Sequence, residues 1–121
     1  MKAMEEFESC ARRLRALADP ERLRIVNLLF AGPRNVGDLA EELHDEIVKV
    51  SHHLGVLRRA DLVQTHKEGR FVQYALHPDV LKHPLPAHPL PAQAPRSIDL
   101  GCCRLELPAP APVGRSAKRS Q

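Results

Sequence analysis

Tryptophan is absent, tyrosine occurs once and phenylalanine three times, so any core this chain builds is aliphatic, from Leu, Val, Ile and Ala. No apolar run approaches the ~20 residues that a membrane-spanning helix requires. The opening MKAMEEFESC is charged and lacks the apolar stretch of a secretory signal, so a cytoplasmic protein with no membrane partner is expected. Its three cysteines are then expected to be reduced thiols. The ingredients of an enzyme are also missing. There is no nucleophile–base–orienter set, no phosphate loop and no paired carboxylates, and His52-His53 lacks the Glu and the spacing of a zinc hydrolase. Basic charge is scarce where DNA binding would most simply want it. Residues 1–80 carry 12 Lys+Arg against 13 Asp+Glu, whereas residues 81–121 carry 6 against 2. The net charge of +3 therefore comes from the C-terminal part, and only local charge arrangement can speak for nucleic-acid binding.

What is present is helical periodicity punctuated by stop signals. Residues 5–18 place Phe7, Cys10, Ala11, Leu14, Leu17 and Ala18 on one stripe, with glutamates early and arginines late, as the helix dipole favours. Asp19 is an N-cap and Pro20 a first helical residue, opening a helix over Pro20–Phe30. Asn35, with Asp38 three residues on, opens a short helix over Val36–Leu43. After a turn of one or two residues, Asp45 caps a helix over Ile47–Ala60 with Ile47, Val50, Leu54 and Leu57 inward. Two helices so joined form a helix-turn-helix. Leu62–His66, a turn at Lys67-Glu68-Gly69-Arg70, and Phe71–Leu76 then read as a β-hairpin. The expected fold is mainly α with a β-hairpin wing (α+β), a winged helix-turn-helix over residues 1–81. A Pro-rich linker follows over 82–96, then a Cys-containing segment over 97–107, apolar enough to dock, and a disordered basic tail over 108–121.

The runs LADPERLRIVNLL, VGDLAEEL, VSHHLGVLRRADLV and KEGRFVQYAL, within residues 10–80, resemble the ArsR-type (ArsR/SmtB) family of metal-responsive bacterial repressors. The resemblance implies a homodimer in which the first helix and the C-terminal segment pack across the two-fold axis. It also implies that the dimer, without any cofactor, represses by binding double-stranded operator DNA, and that an inducer releases it. By position on the recognition helix, Val48, Lys49, Ser51 and His52 are expected in the major groove, with Lys67 and Arg70 of the wing on the DNA backbone. His53 either packs or meets a phosphate. Arg58, with Arg59, either contacts DNA or solvates the helix end. Two departures from the family pattern are visible. Asp61 stands where Gly is usual, and Asp can adopt the left-handed conformation there at some cost. Glu46-Ile47 stands where Ser-Gln is common, which points to an unusual operator or to a carboxylate stabilising the helix start.

Inducer sites in the family lie in several places. The Cys-Val-Cys of one arsenic-sensing version corresponds here to Asn35-Val36-Gly37-Asp38, without cysteine, and the final helix of the zinc-sensing version is replaced by prolines. Other members carry vicinal cysteines in a C-terminal segment as arsenite ligands, and this chain has Cys102-Cys103. Gly101 lets the backbone bring both thiols to one side. Cys10, from the same chain or the partner, is the third candidate ligand, although core packing explains its place equally well. Three soft thiolates suit As(III) or Sb(III) first and Cd(II) or Pb(II) second, since zinc prefers four ligands. His83 and His88 are more simply solvated. The same cysteines suit a redox or persulfide sensor pairing Cys10 with the tail, because a direct Cys102–Cys103 bridge is strained. A winged-helix protein-interaction module without DNA binding is the contrasting class.

Overall fold

The computed structural model describes residues 2–81 and 96–108. The proline-rich stretch 82–95, with His83 and His88, and the basic tail 109–121 lie outside the described residues.

Helix α1 (Lys2–Leu17) begins before residue 5 and buries Cys10, Ala16 and Leu17. Phe7, Leu14 and Ala18, expected in the core, are exposed, as is Met4. The apolar stripe is wider than the groove it packs into: only its Cys10–Leu17 edge meets the other helices. Helix α2 (Pro20–Leu29) starts as expected, with the Asp19 carboxylate accepting from the N–H groups of Glu21 at 2.8 Å and Arg22 at 3.2 Å. It buries Ile25, Val26 and Leu29. Asn35 caps α3 (Val36–Leu43) by accepting from Asp38 N–H at 2.8 Å.

The turn to α4 (Ile47–Arg59) is His44–Glu46, longer than expected. His44 takes the left-handed conformation, and Asp45 N–H closes on Ala40 C=O, so α3 ends in a Schellman-type lock without glycine. Asp45 is not the N-cap of α4. That position is Glu46, which makes no side-chain capping bond, and the Asp45 carboxylate instead accepts from Glu46 N–H. Val50, Leu54 and Leu57 are buried, but Ile47 is not: the first turn of α4 projects past its neighbours and leaves it 55% exposed. At the other end Asp61 has φ 60°, with Asp61 N–H on Arg58 C=O and Leu62 N–H on Leu57 C=O. This is the Schellman motif with Asp in the position glycine usually takes.

The wing is an antiparallel pair, β1 (Val63–Glu68) and β2 (Phe71–Leu76), with Glu68 opposite Phe71. Lys67 and Glu68 thus belong to the strand, and the turn is only Gly69-Arg70. Gly69 has φ +64° while Arg70 does not enter positive φ, the pattern of a type II′ turn. Arg34 and Tyr74 exchange backbone hydrogen bonds, which ties the lead-in to α3 to the wing. Beyond a 3-10 turn at Pro78–Val80, a second hairpin, β3 (Arg96–Asp99) and β4 (Arg104–Leu107), docks on the helical body through buried Ile98, Leu100 and Leu107. The ordered hairpin starts at Arg96, inside the stretch read as linker. Each fully buried Leu or Ile contributes about 1.5–3 kcal/mol. No described helix is long and apolar enough to cross a membrane.

Burial pushes the Asp19 carboxyl up, but the Arg22 and Glu21 N–H groups and the Arg22 charge outweigh it and hold its pKa below the ordinary 3.8. A depressed folded-state pKa contributes stability that is complete above the ordinary value and lost as pH falls through the folded one. Asp19→Ala is expected to cost about 1 kcal/mol near neutral pH. The gap from the parent chain should narrow below about pH 4, where the carboxylate protonates. Urea unfolding of both proteins at pH 7 and pH 3 measures this, and a gap independent of pH would contradict it.

Candidate functional site

Two sets of side chains stand out, one on α4 and the wing, the other between α1 and the second hairpin. On α4 the burial of Val50, Leu54 and Leu57 leaves Val48, Lys49, Ser51 and His52 facing water, with Arg58 and Arg59 exposed in the last turn. Lys49 Nζ lies 3.5 Å from Asp45 Oδ1, but its side chain is largely exposed, so the pair leaves its charge available. Glu46 N–H above all holds the Asp45 carboxyl below its usual range; burial opposes it, and the Lys49 charge and hydrogen bond add to the lowering. The first-turn N–H groups of α4 receive no side-chain cap, so the positive end of this helix is open to an anion.

His53 departs from this face. It is half-buried, and Arg22 Nη1 lies 3.0 Å from its Nδ1. Guanidinium only donates, so Nδ1 accepts and the proton of the neutral ring sits on Nε2. Arg22 Nε also donates to Ala16 C=O at 2.5 Å, so one side chain joins the end of α1 to α2 and α4. A second tie runs from Arg13 Nε to Ala60 C=O at 3.2 Å, linking α1 directly to the C-cap of α4. Neither tie is legible in sequence, since arginines on a helix read as solvated charges. On the wing, Lys67 and Arg70 are exposed, and beside them so are Phe71 and Val72. Alternation alone did not reveal those two apolar residues as open.

The three cysteines meet within one chain. Cys10 is 1% exposed on the inner edge of α1, whereas Cys102 and Cys103 lie exposed in the turn between β3 and β4. That turn is held by Leu100 N–H on Cys103 C=O at 2.8 Å, by Gly101 N–H on Asp99 Oδ1 at 2.9 Å, and by φ +100° at Gly101. Arg96 fixes the base of the hairpin: its Nη1 donates to Asn27 C=O at 2.5 Å and Oδ1 at 3.1 Å, and its guanidinium stands 5.6 Å from the Phe30 ring centroid. Contrary to the expectation of three reduced thiols, Cys10 and Cys102 are joined as a disulfide with Cα atoms 5.8 Å apart, and only Cys103 is free. Cys103 Sγ is 3.9 Å from Cys10 Sγ, and all three sulfurs lie within 4.8 Å of one another. Among the described residues this is the one group of three or more metal-capable side chains so gathered, and it contains no carboxylate or imidazole. As a disulfide, a link over 92 residues stabilises the fold by about 4–5 kcal/mol. As three thiolates, the same atoms form an all-sulfur site.

Residues 19–65 match the family described as bacterial regulatory protein, arsR family. The transcriptional repressor SdpR of Bacillus subtilis is 37% identical over 68 residues, which cover 56% of this chain and 76% of SdpR. Among solved structures, the homodimeric winged helix-turn-helix DNA-binding domain of Mb0332 from Mycobacterium bovis superposes with a TM-score of 0.56 at 31% identity, over 58% of this chain and 65% of that one. A protein described as a possible transcriptional regulator for arsenical resistance gives a TM-score of 0.52 at 41% identity, over 55% and 69% of the two chains. With its four helices, exposed recognition helix and wing, the chain belongs to the arsR family of bacterial regulatory proteins, as a winged helix-turn-helix, DNA-binding transcriptional regulator.

Proposed function

We propose that this chain is a homodimeric repressor that leaves its operator when As(III) or Sb(III) is taken up by Cys10, Cys102 and Cys103. The carrying observation is the gathering of three sulfurs, and no nitrogen or oxygen ligand, within 4.8 Å. A trithiolate site matches soft ions that accept three ligands, and it leaves zinc, which prefers four, underserved. Likeness to a regulator described for arsenical resistance supports the reading. Cd(II) and Pb(II) are the next ions the donor set suits. Dimer formation is supported by the outer edge of α1, where Met4, Phe7 and Leu14 are exposed, and by the homodimeric state of Mb0332. In this reading residues 1–81 bind DNA and dimerise, and the segment 97–107 senses.

The tie between site and DNA face is short. Arg13 follows Cys10 by one turn of α1 and holds the C-cap of the recognition helix through Ala60 C=O. A shift of α1 that accompanies thiolate ligation thereby reaches α4, and Arg22 couples the end of α1 to His53 in the same way. Arg13 and Arg22 are positioning residues here, not DNA contacts.

A second reading has its own observation, the Cys10–Cys102 disulfide with Cys103 beside it. Oxidation of these thiols, or persulfide uptake, is then the signal. The two readings exclude each other in any one molecule, because the disulfide consumes two of the three ligands. Reduced protein on its operator, titrated in parallel with As(III), Cd(II), Zn(II) and a persulfide donor, separates them. As(III) is expected to release the DNA at one ion per chain with loss of three titratable thiols. Cys103→Ser should block release by As(III) yet retain disulfide formation between Cys10 and Cys102. Undiminished arsenite response in both Cys102→Ser and Cys103→Ser would remove the trithiolate site.

Lys49→Ala and Arg70→Ala are each expected to weaken operator binding, and Arg70→Ala to reduce the slope of log affinity against log salt by about one, as for a lost phosphate contact. Gel shifts at several salt concentrations measure this. Unchanged affinity in both variants would favour a module used for protein contacts alone.

A further inference from the structure

We infer that Ile47 and Val48 read the C5-methyl groups of thymines in the major groove, resting on the DNA-binding reading above. Val48 is 77% exposed and Ile47 55% exposed, and they are adjacent in the first turn of α4. Val48 stands one helical turn from Ser51 and His52 and so lies within the polar face, while Ile47, one turn from both Ser51 and buried Val50, lies at the border of that face and is left open by the projecting first turn. Lys49 follows directly and its charge is largely exposed. A recognition helix presents its N-terminal residues to base edges. In the major groove those edges carry donors, acceptors and a single apolar group, the thymine methyl. An aliphatic pair at the reading end therefore has one kind of base to meet. Both side chains are β-branched, with one dominant rotamer in a helix, so they lose little freedom on contact.

The surroundings permit that approach. Glu46 makes no side-chain capping bond, which leaves the first-turn N–H groups free for a phosphate alongside the contacted bases. The Asp45 carboxylate is already engaged by Glu46 N–H at 2.8 Å and by Lys49 at 3.5 Å, so its charge is partly offset before DNA arrives. Lys49 and Arg58 on the exposed surface of the helix carry charge opposite to that of the backbone.

The test uses the reduced full-length chain and a duplex that it selects from a random pool. Single thymines are replaced by uracil, which removes the methyl and keeps every hydrogen-bonding group. Uracil at one or two positions in each half-site is expected to weaken binding about fourfold per position, the size of one methylene-scale apolar contact. Val48→Ala and Ile47→Ala should bind the uracil duplex as the parent chain does and lose the preference for thymine. Their salt dependence should stay the same, since no charged contact is removed. A flat uracil scan, or alanine variants that keep the full thymine preference, would overturn the proposal. Failure to select any duplex would remove the DNA-binding reading and the proposal with it, so the two failures are told apart.

Discussion

Burial of Val50, Leu54 and Leu57 against the other helices sets the rotation of α4 about its own axis, and with it which side chains face outward. Helical geometry leaves little choice once those three point inward: Val48, Lys49, Ser51 and His52 must turn to solvent. The cost of breaking this arrangement is large, since truncating a buried leucine typically costs 2–5 kcal/mol. The outward face of α4 is therefore specified by apolar contacts on the opposite side, not by its own charge.

Both helices of the helix-turn-helix end without glycine. His44 and Asp61 are the non-glycine residues with positive φ among the described residues, and each sits where a helix stops and the chain reverses. Their short polar side chains tolerate a conformation that bulkier residues resist, and the Schellman bonds to Ala40 and Leu57 carbonyls hold them there. At Asp61 the buried pair Leu57 and Leu62 completes the lock, so α4 ends sharply and the wing leaves in a defined direction.

Helix α1 serves two surfaces. Its inner edge delivers Cys10 to the thiol cluster and Arg13 to the end of α4, while Met4, Phe7 and Leu14 remain open on its outer edge. One rigid element thus adjoins the sulfurs, the recognition helix and an apolar surface. The second hairpin supplies the other two sulfurs and is held by buried apolar residues and by the Arg96 contacts with Asn27 and Phe30.

Local signals settle the four helices and the wing, because capping, proline placement and periodicity act within a few residues: Asp19-Pro20, Asn35 with Asp38, and the alternation around Gly69 suffice. They also mark the cysteines and the exposed polar side of α4 as the places to look. The exposure of Ile47 and Phe7 was not legible, since periodicity tells which face is apolar and not how far a neighbour covers it. Nor did sequence show the second hairpin as a β-pair, or the ties from Arg13 and Arg22. Cys10 and Cys102 lie 92 residues apart, and only the docking of one apolar hairpin on α1 decides that their sulfurs meet. Local preference acts over a turn of helix, whereas a contact across such a separation exists only once a common core has formed.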